Sequence, residues 1–146
     1  MPLKRHPALQ PLSREHHQAL LLGQYLRADV PDYEGYPTDL EERIAYTRRQ
    51  FTEQILPHFE REEQVLIPSV RGHDSDLDAL CDIIMAEHRA LHEGIDEIAS
   101  ANTGEARALL DAWGRLLIAH IRREERQWFT EIQEKVPEQV LQRLAL

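Results

Sequence analysis

The sequence predicts an all-α fold: an antiparallel up-down-up-down four-helix bundle with a short C-terminal helix. Three observations carry that expectation. Four long segments repeat apolar residues at helical spacing, with short breaks between them. Glycine is scarce, at 6 of 146 residues, and alternating or β-branched stretches are few, which disfavours a sheet. Finally, HFEREEQVLI at residues 58–67 and HIRREERQWF at 120–129 share one skeleton, so two helices are built on the same inward pattern.

The first helix is expected from about Pro11 to Ala28, ending before DVPDYEGYP, a stretch rich in turn formers. The second begins near Thr38, where TDLE offers a capping box of Thr38 with Glu41. It runs to about Ile67 and stops at Pro68; Pro57 lies inside it and predicts a local bend. Ser75 or Asp76 opens a third helix that runs to about Ser100. The fourth starts between Thr103 and Glu105 and reaches about Glu134. Pro137 suits the first turn of a last short helix, PEQVLQRLAL. Short connections between long helices favour antiparallel neighbours. The length suits a single domain over residues 1–146, with its bundle core at about 12–134.

Composition narrows the partners. With 42% hydrophobic and 29% charged residues the chain reads as folded and soluble. A net charge of −9 and the lack of a basic stripe argue against nucleic acid or an anionic membrane. No run approaches the roughly 18 apolar residues of a membrane span. The N-terminal MPLKRHPALQP lacks the apolar core of a signal peptide, so a cytoplasmic location is expected. The lone Cys81 excludes an internal disulfide or CxxC site and is read as core filler. Trp113 and Trp128 are read as packing residues, and His6 and His73 as solvated.

The apolar stripes contain ionisable residues. Helix two presents Phe51, Ile55, His58, Glu62 and Val65 on one face, and helix four Trp113, Leu117, His120, Glu124 and Trp128. Residues four apart differ by about 40° around a helix, so His58 and Glu62 point together, as do His120 and Glu124. Glu63 and Glu125 are turned by about 140° and should flank the bundle. Helices one and three carry a weaker repeat, REHHQALLL at 14–22 and AEHRALHEG at 86–94. His16 shares a face with Leu12, Ala19, Gly23 and Leu26, whereas His17 lies on a more mixed one, so His16 is favoured over His17. On helix three, His88 and, one turn on, His92 both face inward.

One buried His, or one HxxxE, is ordinarily a core or surface pair. The repeat on separate inward faces changes that reading. Two unneutralised carboxylates in one core raise each other's pKa and destabilise the fold, a problem that one or two dications remove. Several imidazoles with two carboxylates and no thiolate suit Fe, Mn or Zn better than Mg or Ca. Two glutamates on facing helices are placed to bridge two metals. Glu15 and Glu87 are candidates to orient the ligand imidazoles.

These motifs, REHH, HFERE, EHRALH and HIRRE in that order, resemble those of the hemerythrin-like, or HHE cation-binding, family over about residues 12–130. The resemblance implies a four-helix bundle around two non-haem Fe ions, with Mn or Zn as substitutes. It implies His16, His58, Glu62, His88, His120 and Glu124 as metal ligands. His92 occupies the place of a further helix-three ligand of the oxygen-carrying hemerythrins. Those carriers place an Asp five residues after the last His, where this chain has Glu125 beside Glu124. The expected function is a di-iron protein that binds or senses O2, NO or iron. A redox enzyme turning over peroxide or NO, or repairing iron–sulphur clusters, is the alternative. The family's cluster-repair members carry an extra N-terminal cysteine-containing segment, not found here. A metal-stabilised interaction module, with VLQRLAL as the docking segment, is the third reading.

Overall fold

The structure, a computed structural model, describes residues 4–146. Four main helices and one short one account for most of them. We number them α1 (Gln10–Tyr25), α2 (residues 40–70), α3 (Ser75–Ser100), α4 (residues 103–135) and α5 (Glu138–Gln142). No helix among the described residues is long and apolar enough to cross a membrane.

The helix starts follow local chemistry. Asp39, Asp74 and Asn102 cap α2, α3 and α4 by accepting from the backbone N–H of Glu42, Leu77 and Glu105. The cap of α2 is therefore Asp39, not Thr38. Its extended backbone turns the Asp carboxylate onto the N–H of the third residue of the helix. The first helix is shorter than expected and ends at Tyr25, where the chain enters the α1–α2 connection. Pro137 stands at the cap of α5, just outside its first turn.

The main departure lies inside α2 and α4. Each contains π-helical turns, at Phe51–Ile55 and Glu62–Leu66 in α2 and at Glu124–Trp128 in α4. In α2 the residue that closes each π-turn directly precedes a proline: Leu56 N–H bonds Phe51 O before Pro57, and Ile67 N–H bonds Glu62 O before Pro68. A proline lacks the N–H and crowds the preceding turn. The widened turn gives the ring room, so α2 passes through both Pro57 and Pro68 and ends at Val70. The extra residue also resets the register: Leu66, rather than Val65, is fully buried.

Neighbouring helices run antiparallel. Along α1 and α4, His16 lies beside Glu124, a Cβ on Gly23 would meet Ile118, and Ala28 N–H reaches Asp111. Along α2 and α3, Phe59 meets His88 and Phe51 meets His92. Gly23 and Gly114 let the α1 and α4 backbones touch, since a Cβ on Gly114 would lie 2.7 Å from Gly23 O.

The apolar core falls into two clusters. One, around Leu12, Leu66, Ile84 and Trp128, is covered by Leu141 of α5. The other, around Leu22, Phe51, Leu91 and Leu117, fills the opposite end. The VLQRLAL segment thus docks on its own bundle. Between the two clusters lies a layer of six buried ionisable residues.

Candidate metal centre

That layer consists of His16 from α1, His58 and Glu62 from α2, His88 from α3, and His120 and Glu124 from α4, each at most 4% exposed. Both glutamates sit at the first residue of a π-turn, a distortion that recurs at functional sites in helices.

The imidazole Nε2 atoms all point inward. Glu124 Oε1 lies 2.8 Å from His16 Nε2 and 3.7 Å from His58 Nε2, while Oε2 lies 3.2 Å from His120 Nε2 and 3.5 Å from His88 Nε2. Glu62 divides its oxygens in the same way, Oε2 to His58 at 3.2 Å and Oε1 to His88 at 3.1 Å. Two groups of four donors result: His16, His58, Glu62 and Glu124, and Glu62, His88, His120 and Glu124. Within each group the ligand atoms lie within 4.8 Å of one another. Both carboxylates belong to both groups.

The residues fit a pair of cations. Both Glu62 oxygens, Glu124 Oε2, His88 Nε2 and His120 Nε2 are buried without a hydrogen-bond partner. Leaving five such atoms unsatisfied is costly, and all five face the same space. A dication in each group would take them up as ligands.

Each imidazole is held from behind by a carboxylate on its Nδ1. Glu125 bonds His16 at 2.6 Å, Glu15 bonds His58 at 3.0 Å, Glu63 bonds His88 at 3.0 Å and Glu87 bonds His120 at 2.8 Å. A carboxylate there fixes the tautomer with the proton on Nδ1 and leaves Nε2 free to ligate. Three of these carboxylates are anchored in turn by arginine: Glu125 by Arg5 at 3.1 Å, Glu87 by Arg123 at 2.9 Å, and Glu15 by Arg61. Sequence reasoning singled out Glu15 and Glu87 but placed Glu63 and Glu125 only as flanking residues. Their role was signalled by the REE triplets, in which the residue turned away from the core reaches the back of a neighbouring helix's imidazole.

The carboxylates of the layer also favour the charged form of the imidazoles. Burial opposes charging His16, but Glu124 and Glu125 outweigh it and raise its pKa to about 9. The same competition, with Glu124, Glu62 and Glu63, raises His88 to about 11, and His58 and His120 are raised too. Burial alone would raise Glu124, but the surrounding imidazoles hold it well below the usual carboxylate range. Against burial, His58 and Arg61 pull Glu15 down to about 2.

His92 departs from expectation. Its side chain is exposed, lies against the Phe51 ring at 5.5 Å and belongs to neither group. Phe59 takes the inward space beside the buried layer, stacking on His88 at 3.8 Å. His17 is likewise exposed. Cys81 is buried and accepts from Trp128 Nε1 at 3.4 Å, and Trp113 Nε1 donates to Leu91 O at 2.8 Å. His6 pairs with Glu138 at 2.8 Å rather than standing in solvent, and His73 is exposed.

A cavity reaches the layer from the α1–α2 side. Its inner wall is His16, Ala19, Leu22, Ile55, His58 and Phe59, and glutamines 18, 50 and 54 stand at its mouth. The π-turn at Phe51–Ile55 forms part of that wall.

The family model of the hemerythrin HHE cation binding domain matches residues 8–132. The chain belongs to this family. No curated protein and no solved structure gave a significant match. The match covers the first three helices of the hemerythrin-like bundle, all but the last three residues of the fourth, and all six residues of its buried layer. The two His/Glu groups are those of a hemerythrin-type metal-binding site.

Proposed function

We propose that this hemerythrin-like chain is a non-haem di-iron protein that binds or senses a small diatomic ligand, O2 or NO. The ligands are His16 and His58 for one ion and His88 and His120 for the other, with Glu62 and Glu124 bridging. The observation that carries the reading is the division of each bridging carboxylate's oxygens between the two His pairs, with five buried polar atoms left unpartnered. Iron is the metal that the family resemblance implies; the His/Glu donor set suits Mn and Zn as well, which can substitute for it. Bound iron supplies a redox-active Lewis acid to which a diatomic can coordinate.

The protein's part is positional. Each group would offer an ion four protein donors. The cavity walled by Ala19, Leu22 and Ile55 gives a small apolar ligand a route to the His16–His58 side. On the other side Phe59 stacks on His88 and stands edge-on to His120 at 5.3 Å, with a shallow surface cleft beside them. Apolar packing above and below the layer limits water, which favours binding over further oxidation.

The test is an optical titration of the iron-loaded protein from anaerobic to aerobic conditions. A charge-transfer band that appears with O2 and reverses on degassing supports reversible binding. Irreversible oxidation to a ferric form moves the assignment to the enzymatic alternative.

A further inference from the structure

At the end of the bundle away from α5, residues 26–39 form by far the longest connection in the fold; the others are residues 71–74, 101–102 and 136–137. Connections of this length inside a compact domain are uncommon and often functional. The turn is braced by Gly35, at φ +84°, and by the Tyr25 hydroxyl, which donates to Pro37 O. All four tyrosines of the chain, Tyr25, Tyr33, Tyr36 and Tyr46, pack their rings together there. This connection walls a cleft against α2 and α4.

Three guanidiniums border the cleft, Arg27, Arg43 and Arg107, although the chain as a whole carries a net charge of −9. Their existing partners differ. Arg27 is spent on Asp29, with bonds of 3.0 and 2.8 Å. Arg43 is only 13% exposed, yet its nearest carboxylate is Asp32 at 3.9 Å, beyond hydrogen-bonding distance and 70% exposed. Its other contacts are the Tyr25 carbonyl at 3.2 Å and the Tyr25 ring face at 4.8 Å. Arg107 is exposed and forms no ion pair among the described residues. Nearby Asp29 and Asp111 are held by Arg27 and Arg115, and Asp111 also takes the Ala28 N–H at 2.7 Å. Arg43 thus keeps guanidinium nitrogens that bond no carboxylate and stay open to solvent in the cleft, a donor set that an entering anion can take up.

We propose that this cleft binds a phosphate-type oxyanion between Arg43 and Arg107. Guanidinium forks match the geometry of tetrahedral oxyanions. Arg43 supplies a pre-oriented donor, fixed by Tyr25, and Arg107 closes from α4. Leu26, Val30 and Leu110 give the cleft an apolar side, suited to the organic part of a phosphorylated small molecule. The cleft lies about 15 Å along α1 from His16, so it is separate from the metal layer.

The test is the thermal midpoint of the metal-loaded protein in rising inorganic phosphate, against chloride at matched ionic strength, with metal content measured on the same samples. The expected result is a saturable rise in the wild type. In Arg107→Gln the apparent affinity falls about tenfold, the loss of one charge-assisted hydrogen bond. Arg122→Gln, on the exposed neighbouring face of α4, behaves as wild type. No saturable rise, or an equal rise in Arg107→Gln, overturns the proposal; the second outcome places phosphate on the metal or elsewhere. Because metal content is read separately, failure of the anion site is distinguished from failure of the di-iron reading.

Discussion

Glu62 and Glu124 face each other across the bundle, and each carboxylate offers one oxygen to the His16–His58 side and the other to the His88–His120 side. Each glutamate also opens a π-turn, so the backbone is widened at the residue that must reach furthest into the core. Losing either removes a donor from both groups at once. Glu62→Ala and Glu124→Ala should therefore each lose most of the bound metal, not one ion of two. Metal analysis of the purified variants checks this, and near-complete loading in either would contradict the bridging role.

The carboxylates behind the imidazoles should matter in a graded way. Glu87→Gln, which loosens His120, and Glu63→Gln, which loosens His88, are expected to weaken metal affinity about 10- to 100-fold. Glu60→Gln, on an exposed position of the same helix, should leave it unchanged. Competition against a chelator of known affinity measures all three.

The pH response should reverse between the metal-free and metal-loaded forms. In the metal-free protein His16 and His88 are raised from 6.5 to about 9 and about 11. Their contribution to stability is full below pH 6.5 and is lost as pH rises through those values. Glu124 and Glu15 are lowered from 4.5, so their contribution is present above that pH and lost as acid protonates them. The metal-free protein should thus be most stable between about pH 4.5 and 6.5. Metal binding must displace protons from the imidazoles, so affinity should rise with pH. Thermal unfolding of both forms from pH 4 to 10 tests the reversal; a metal-free protein equally stable at pH 6 and pH 9 would count against it.

How much of this was legible in the sequence depended on whether a signal was local. His58, Glu62, His120 and Glu124 announce themselves because residues four apart share a helix face whatever the tertiary context. The starts of α3 and α4 were legible to within a residue or two, but the capping side chains Asp74 and Asn102 emerged only from the structure. The π-turns were not legible, because a proline in a helical pattern predicts a bend or a stop and does not reveal which neighbouring turn will widen. His92 was misplaced for a related reason: periodicity gives a direction to within a fraction of a turn, and the packing of Phe59 and Phe51 decides which residue enters. The arginines of the α1–α2 cleft are scattered over residues 27, 43 and 107, so no stripe in the sequence marked them.

The α1–α4 seam is set by close backbone approach. A Cβ on Gly114 would meet Gly23 O at 2.7 Å and Leu26 Cβ at 3.0 Å, and neither the backbone nor the packed leucine can yield easily. Gly114→Ala is expected to destabilise the protein by about 1–3 kcal/mol through overpacking. Chemical denaturation of the metal-free form measures the change, and an unaffected midpoint would show that the seam can part without cost.

Ala19 stands in the inner wall of the cavity that leads to His16 and His58. Filling that space with Ala19→Leu should slow association of NO with the iron-loaded protein several-fold while leaving metal content unchanged. Stopped-flow mixing reads the rate directly. An unchanged rate would mean that the ligand enters elsewhere.

The central claim, one bundle interior holding two bridged irons, is tested most directly by counting iron per chain after anaerobic Fe(II) reconstitution and desalting. Two His/Glu groups sharing Glu62 and Glu124 predict two irons per chain; a saturated value of one or fewer would contradict the account.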